Sequence, residues 1–198
     1  MGNLQKIIVL VVFITAFFHT SFIFAAFPDI KVTVLRNSGE NFISTSYKVK
    51  GSDILAAKVE ALMNAPASDI INLLRDFENY RNTIPFFNNS KILSKIDNVF
   101  LLKLGATILN GALTINAVVS VKESSIGFGG TKFKLKLKKG DLDKMDAIWY
   151  VYPLDEKNSV LVFKLMVDPG VWFVRDVTLS KYNQVNARRI IRSIRRQL

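Results

Sequence analysis

Apolar and polar positions alternate with period two through most of residues 30–168, the signature of strands with one face buried. Ile30–Leu35 (IKVTVL) and Asn41–Lys50 (NFISTSYKVK) alternate around the turn-forming Arg36-Asn37-Ser38-Gly39, which predicts a hairpin. After Gly51-Ser52 a further strand places Leu55, Ala57, Val59, Ala61 and Met63 on one face. Asn64-Ala65-Pro66-Ala67-Ser68 breaks that pattern, and Ile70, Leu73, Leu74 and Phe77 then recur at helical spacing, predicting a helix over roughly Asp69–Asp76 capped by Ser68 or a neighbour. Asp76 is placed to cap a second short helix through Asn82, which Pro85 ends.

From Ser90 to Asp168 the pattern predicts a meander: Lys91–Ile96, Val99–Thr107, Leu113–Glu123, Gly127–Lys139, Asp146–Pro153 and Ser159–Val167. Each break carries hairpin-forming residues, such as Asp97-Asn98, Asn110-Gly111 and Lys139-Gly140-Asp141. A meander of this kind has an apolar face that something must cover. Residues 171–198, free of Gly and Pro, suit one long helix, with Ala187, Ile191, Ile194 and Leu198 as its apolar stripe.

Composition narrows the chemistry. The 198 residues include 15 Phe, 5 Tyr and 2 Trp, enough apolar mass for one packed domain. Cysteine is absent and the single histidine is His19, inside a targeting-type segment. The remainder therefore offers no thiolate, no imidazole base and no Cys or His metal ligand. Asp76, Glu78, Glu60, Glu123 and Asp146 are conceivable acid–base groups, although their spacing marks no dyad. Gly127-Phe128-Gly129-Gly130 lacks the Lys-Ser/Thr of a phosphate loop and reads as a bulge or bend.

Residues 1–27 carry Lys6, the apolar run Ile7–Phe18 and small Ala25-Ala26, which reads as a secretory signal peptide over 1–25. An uncleaved anchor is the competing reading. Either one puts the domain outside the cytoplasm: periplasmic in a bacterium, otherwise secreted, or membrane-anchored. Removing 1–25 takes away one lysine and no acid, so the net charge falls from +11 to +10. That charge is concentrated in two stripes. Lys132, Lys134, Lys136, Lys138 and Lys139 alternate with Phe133, Leu135 and Leu137, while Arg188, Arg189, Arg192, Arg195 and Arg196 fill the polar side of the last helix. Lys132, Lys134, Lys136, Lys138, Arg188, Arg192, Arg195 and Arg196 are candidate contacts to an anionic membrane surface. A solvated face and complementation of the helix dipole are the simpler readings. No zinc-finger, helix-turn-helix or RNA-binding pattern accompanies the charge, so nucleic acid is not an expected partner.

Three segments carry a family resemblance. Val59–Pro66 (VEALMNAP) runs into Ile70–Pro85 (IINLLRDFENYRNTIP); Ala147–Pro153 (AIWYVYP) leads through a turn to Val160–Val167; and Asp168-Pro169-Gly170-Val171-Trp172 opens the last helix. In order and spacing they resemble the START-like (SRPBCC) superfamily over about residues 52–198, with 26–51 left as an N-terminal hairpin extension. The resemblance implies an α+β helix-grip fold: a curved antiparallel sheet wrapped around a long C-terminal helix, with two short helices after the first domain strand. It also implies an apolar cavity for one hydrophobic ligand (a lipid, sterol, quinone or polyketide), held by a monomer without a cofactor or metal. Candidate cavity-lining residues are Phe86, Phe87, Leu102, Leu104, Leu113, Ile115, Trp149, Val151, Phe163, Leu165, Trp172 and Phe173, each of which equally suits a filled core. The implied role is binding or transfer without turnover. The alternative is a cyclase or aromatase, for which the resemblance supplies no transferable catalytic residue.

Overall fold

The computed structural model describes residues 32–198. The expected leader, together with Ile30 and Lys31 of the expected first strand, lies outside the described residues.

Eight strands form one antiparallel sheet: β1 (Phe42–Tyr47), β2 (Ala56–Met63), β3 (Phe87–Ile96), β4 (Val99–Ile108), β5 (Leu113–Ile126), β6 (Gly130–Gly140), β7 (Lys144–Pro153) and β8 (Ser159–Asp168). Their order is β1-β2-β8-β7-β6-β5-β4-β3, so β3 to β8 run as a meander and β2 docks on β8 at its far side. Helix α1 (Val32–Asn37) precedes β1; α2 (Ala67–Arg75), a 3₁₀ turn (Phe77–Asn79) and α3 (Tyr80–Thr83) lie between β2 and β3; the long α4 (Asp176–Arg195) closes the chain.

Period two puts the apolar set of each strand on one face. Val59, Ala61, Leu102, Val119, Val121, Phe133, Trp149 and Phe163 are all buried in a single cluster with Ala187, Ile190, Ile191 and Ile194 of α4. Small residues set how near the helix comes. Ala57 and Ala61 of β2 and Ala187 of α4 are fully buried, and α4 packs on β2, where such small side chains allow a close approach. Trp149 and Phe163, opposite one another on β7 and β8, stack with ring centres 3.7 Å apart. Tyr80 anchors the short helices from below, its hydroxyl donating to the Leu74 carbonyl oxygen at 2.6 Å. The β5–β6 ladder bends at a bulge beside Val118. Gly140 takes φ +142 there, and a Cβ at that point would sit 2.3 Å from the Asn116 carbonyl oxygen.

Several expectations are corrected. Val32–Leu35 is helical, and the partner of β1 is β2, so no N-terminal hairpin forms in the described residues. The Ser38 amide and hydroxyl both donate to the Leu35 carbonyl oxygen and close α1 locally, while β2 takes up the sheet edge of β1. Neither Ser68 nor Asp76 caps through its side chain: Pro66 occupies the N-cap position of α2, where its preset φ suits the entry, and the Ser68 hydroxyl turns to Asp69. The Gly127–Gly130 run is the hairpin turn itself, with Phe128 at φ 65 and Gly129 at φ 68, and β6 begins only at Gly130. The last helix starts at Asp176 and ends at Arg195, which leaves Leu198 exposed outside the apolar stripe.

Candidate functional site

The β4–β5 turn and the first half of α4 frame a groove of about 460 Å³. One wall is Leu109, Asn110 and Ala112; the other is Thr178, Tyr182, Val185 and Asn186 of α4, and Phe173 and Val174 close one side. The turn is held in an unusual conformation, because Leu109 (φ 51), Asn110 (φ 57) and Gly111 (φ 95) follow one another in the left-handed region. Two of the three carry a Cβ, so the arrangement is strained and must be paid for by its surroundings. A long-range hydrogen bond supports it: the Leu109 amide donates to the Tyr182 hydroxyl at 2.7 Å. The turn is thus latched to α4 by one tyrosine.

Two asparagines of α4 point inward and differ in what they meet. Asn183, 1% exposed, accepts from the Val167 amide at 3.2 Å and donates to the carbonyl oxygens of Val167 (3.3 Å) and Leu55 (3.4 Å), which ties α4 to β8 and to the entry of β2. Asn186, 5% exposed and lining the groove, keeps its Oδ1 buried without a donor among the described residues. Buried polar atoms are nearly always satisfied, so an oxygen of this kind is uncommon; the Ser44 hydroxyl oxygen is buried in the same condition. Arg189 and Lys181 stand at the rim, the Arg189 guanidinium 4.7 Å from the centre of the Phe86 ring.

Among the expected cavity residues, Leu102, Leu104, Ile115, Trp149, Val151, Phe163 and Leu165 are buried in the central cluster, and Phe86, Phe87 and Leu113 pack against it half-buried. Phe173 alone of the twelve lines the groove, at 69% exposure. Trp172 is turned out to solvent, 94% exposed, stacked edge-on against Phe173. The reason is that β8 ends at Asp168 and α4 begins only at Asp176, so this linker crosses outside the sheet instead of entering it. Pattern reading missed Tyr182 and Asn186. A signal was present: the buried positions Leu179, Asn183, Asn186, Ile190 and Ile194 keep helical spacing, so the apolar stripe runs on toward the start of α4 through two asparagines.

The carboxylates singled out from the sequence do not converge. Glu123 is held by Arg75 at 3.0 and 2.5 Å, Glu60 lies 2.9 Å from the Lys58 ammonium, and Asp76, Glu78 and Asp146 are exposed. Of the basic residues, Arg192 forms a bidentate pair with Glu40 at 2.7–3.1 Å. Arg195 donates to the carbonyl oxygens of Glu40, Asn41 and Leu62, binding the end of α4 to β1 and β2. Burial pulls the Arg195 pKa below the usual arginine value, against the Glu40 carboxylate, which raises it. Arg188 reaches only back to the Gln184 carbonyl oxygen, and Arg196 is exposed at the C-cap. Lys132, Lys134, Lys136 and Lys138 line a second groove, of about 710 Å³, on the sheet face away from α4.

No family model and no curated protein matches the sequence. Solved structures do match the fold. A STAR-related lipid transfer protein from Xanthomonas axonopodis superposes with a TM-score of 0.71 at 16% identity, over 81% of this chain and 94% of that one. The human StAR-related lipid transfer protein 5 gives 0.66 at 9% identity, over 79% and 83%. The Zhui aromatase/cyclase from a Streptomyces species gives 0.52 at 11% identity, over 78% and 90%. The chain shares the helix-grip fold of these structures, an antiparallel sheet with a long C-terminal helix.

Proposed function

We propose that this helix-grip domain binds one hydrophobic molecule bearing a hydrogen-bond donor, with the apolar body of the ligand in the groove between the β4–β5 turn and α4. The observation that carries the reading is Asn186, a residue of the groove lining whose Oδ1 is buried with no donor among the described residues. A ligand hydroxyl there would replace the water that the oxygen gave up on burial. Within the lipid, sterol, quinone and polyketide classes, hydroxylated members meet this requirement. A groove of about 460 Å³ is of the size that takes one small hydrophobic ligand. Structures of the same fold are named as lipid transfer proteins and as an aromatase/cyclase, which supports a hydrophobic cargo.

Exposed Trp172 and Phe173 border the groove on the linker into α4 and suit contact with a lipid interface during loading. The latch from Leu109 to Tyr182 is the element that opens. The loop Pro85–Asn89 does not serve as a gate, since it is in large part β3, where Phe87 and Asn89 pair with β4. The apolar run Ile7–Phe18 behind Lys6 supports action outside the cytoplasm.

Competition binding tests the reading. A fluorescent long-chain alcohol bound to the purified protein should be displaced roughly tenfold more effectively by the unlabelled alcohol than by the alkane of equal length. Val185→Trp, which places an indole in the groove, should abolish binding of the probe. Equal competition by the alkane, or full binding by Val185→Trp, would overturn the proposal.

A further inference from the structure

The outer face of the sheet carries a charge arrangement that the fold does not need. Cross-strand register sets Lys91 opposite Lys103, Lys122 opposite Lys134 and Lys58 opposite Lys164. Like charges directly opposite one another on a sheet are destabilising. Of these six only Lys58 has a carboxylate, Glu60, within ion-pair distance among the described residues. Lys132, Lys134, Lys136 and Lys138 likewise form no ion pair among the described residues, although Asp146 is the register partner of Lys136. The other basic stripe differs, since Arg192 and Arg195 of α4 are spent on Glu40 and on backbone carbonyl oxygens. The sheet is therefore the broader of the two cationic surfaces left without carboxylates, although Arg188 and Arg196 of α4 also form no ion pair among the described residues.

Between these lysines runs the groove of about 710 Å³, walled by Ile96, Val99 and Leu101 on one side and by Lys122, Lys132 and Lys134 on the other. Its apolar wall ends at a hairpin tip where Ile96 is 72% exposed, and Phe128, at the β5–β6 tip, is 60% exposed at the same end of the sheet.

We infer that this face docks on an anionic lipid bilayer. Three observations select that occupant. First, the amines are spread across several strands, from β3 and β4 through β5 and β6 to β8 and β2, at strand spacings of roughly 5 Å, where a polyanionic chain would need only a track. Second, exposed apolar tips adjoin the amines, the combination that enters a headgroup layer while the charges meet phosphates. Third, Tyr150, which lies among the lysines, has the ammonium groups of Lys132 and Lys164 at 5.6 and 5.5 Å from its ring centre. Its π system is engaged with amines, where a single-stranded nucleic acid would require a stacking face. The docking surface is separate from the ligand groove and does not depend on what that groove holds.

Vesicle flotation of the full chain tests this. Phosphatidylcholine vesicles register any binding through the apolar N-terminal run, and vesicles with one third phosphatidylglycerol add the anionic surface. Anionic vesicles should bind more tightly, with the difference vanishing at high salt. Each lysine removed should cost about fivefold in the partition coefficient, so Lys122→Gln/Lys132→Gln/Lys134→Gln together should cost about 100-fold. The same triple variant should melt at about the wild-type temperature, because relief of the Lys122–Lys134 like-charge pair offsets the lost Lys132–Tyr150 contact. The control Arg188→Gln/Arg196→Gln, which removes two positive charges from α4, should bind within about twofold of the wild type, against about 25-fold for Lys132→Gln/Lys134→Gln. Undiminished binding by the lysine variant, an equal loss in the arginine control, or displacement from anionic vesicles by a charge-matched single-stranded oligonucleotide would overturn the inference.

Discussion

Replacing Asn186 with leucine should make the empty protein more stable and a poorer binder. Leucine keeps the γ-branching of asparagine but removes the Oδ1 that is buried without a donor. A buried amide oxygen left unsatisfied costs about 1–3 kcal/mol, and an apolar replacement of similar shape removes that cost. For a chain of this size each kcal/mol moves the melting temperature by roughly 2–4 °C, so a rise of about 2–12 °C is expected by calorimetry on delipidated protein. Binding of a hydroxylated ligand should weaken by about tenfold or more, corresponding to the loss of ~1.4 kcal/mol from one hydrogen bond. Asn183→Leu is the contrasting variant. It breaks three hydrogen bonds to Val167 and Leu55 and should destabilise by about 2–4 kcal/mol. A drop in stability for Asn186→Leu, or unchanged affinity for the alcohol over the alkane, would refute the assignment of that oxygen to a ligand.

Other changes follow from the same geometry. Tyr182→Phe removes the acceptor for the Leu109 amide and should cost about 1–2 kcal/mol, with hydrogen exchange at Leu109 accelerated far more than at core strands. Arg195→Met strips the carbonyl oxygens of Glu40, Asn41 and Leu62 of their donors and should cost about 2–4 kcal/mol by urea denaturation, against less than ~0.5 for exposed Arg196→Met. Burial, and then the charge of Asp76, push the Tyr80 phenol far above its usual range. Its contribution to stability is thus complete below pH ~10, where the unfolded phenol is still protonated, and falls by about 1.4 kcal/mol per pH unit above that, because only the unfolded chain ionises. Tyr80→Phe should flatten this alkaline limb in denaturation midpoints taken from pH 8 to 11, even though the lost bond to Leu74 lowers stability throughout.

The meander was the most legible part of the chain. Strands β4, β7 and β8 begin and end within two residues of where alternation and turn residues place them, because each has one face against a core and a hairpin turn at its ends. Val32–Leu35 failed for the opposite reason. Its β-branched alternation is strand-like, but β2 already pairs with β1 and the Ser38 contacts to the Leu35 carbonyl oxygen close a helical turn. Period two also identified the buried aromatics Trp149 and Phe163 without saying whether they face a cavity or each other; they face each other. The groove was illegible because its residues come from a turn and a helix that only tertiary packing brings together. Asn186 is an ordinary polar residue until its neighbours are known. The lysine row of β6 could be read as a face, yet its freedom from carboxylates and the contrasting engagement of Arg192 and Arg195 depend on register and on the position of Glu40.

The most direct measurement is mass spectrometry of an organic-solvent extract of the purified protein, before and after incubation with lipid vesicles. A hydroxyl-bearing hydrophobic molecule recovered from the wild type in a one-to-one ratio, and lost from Val185→Trp, is the expected result. An empty extract with no uptake from vesicles would contradict the proposed function and leave the Asn186 oxygen to water.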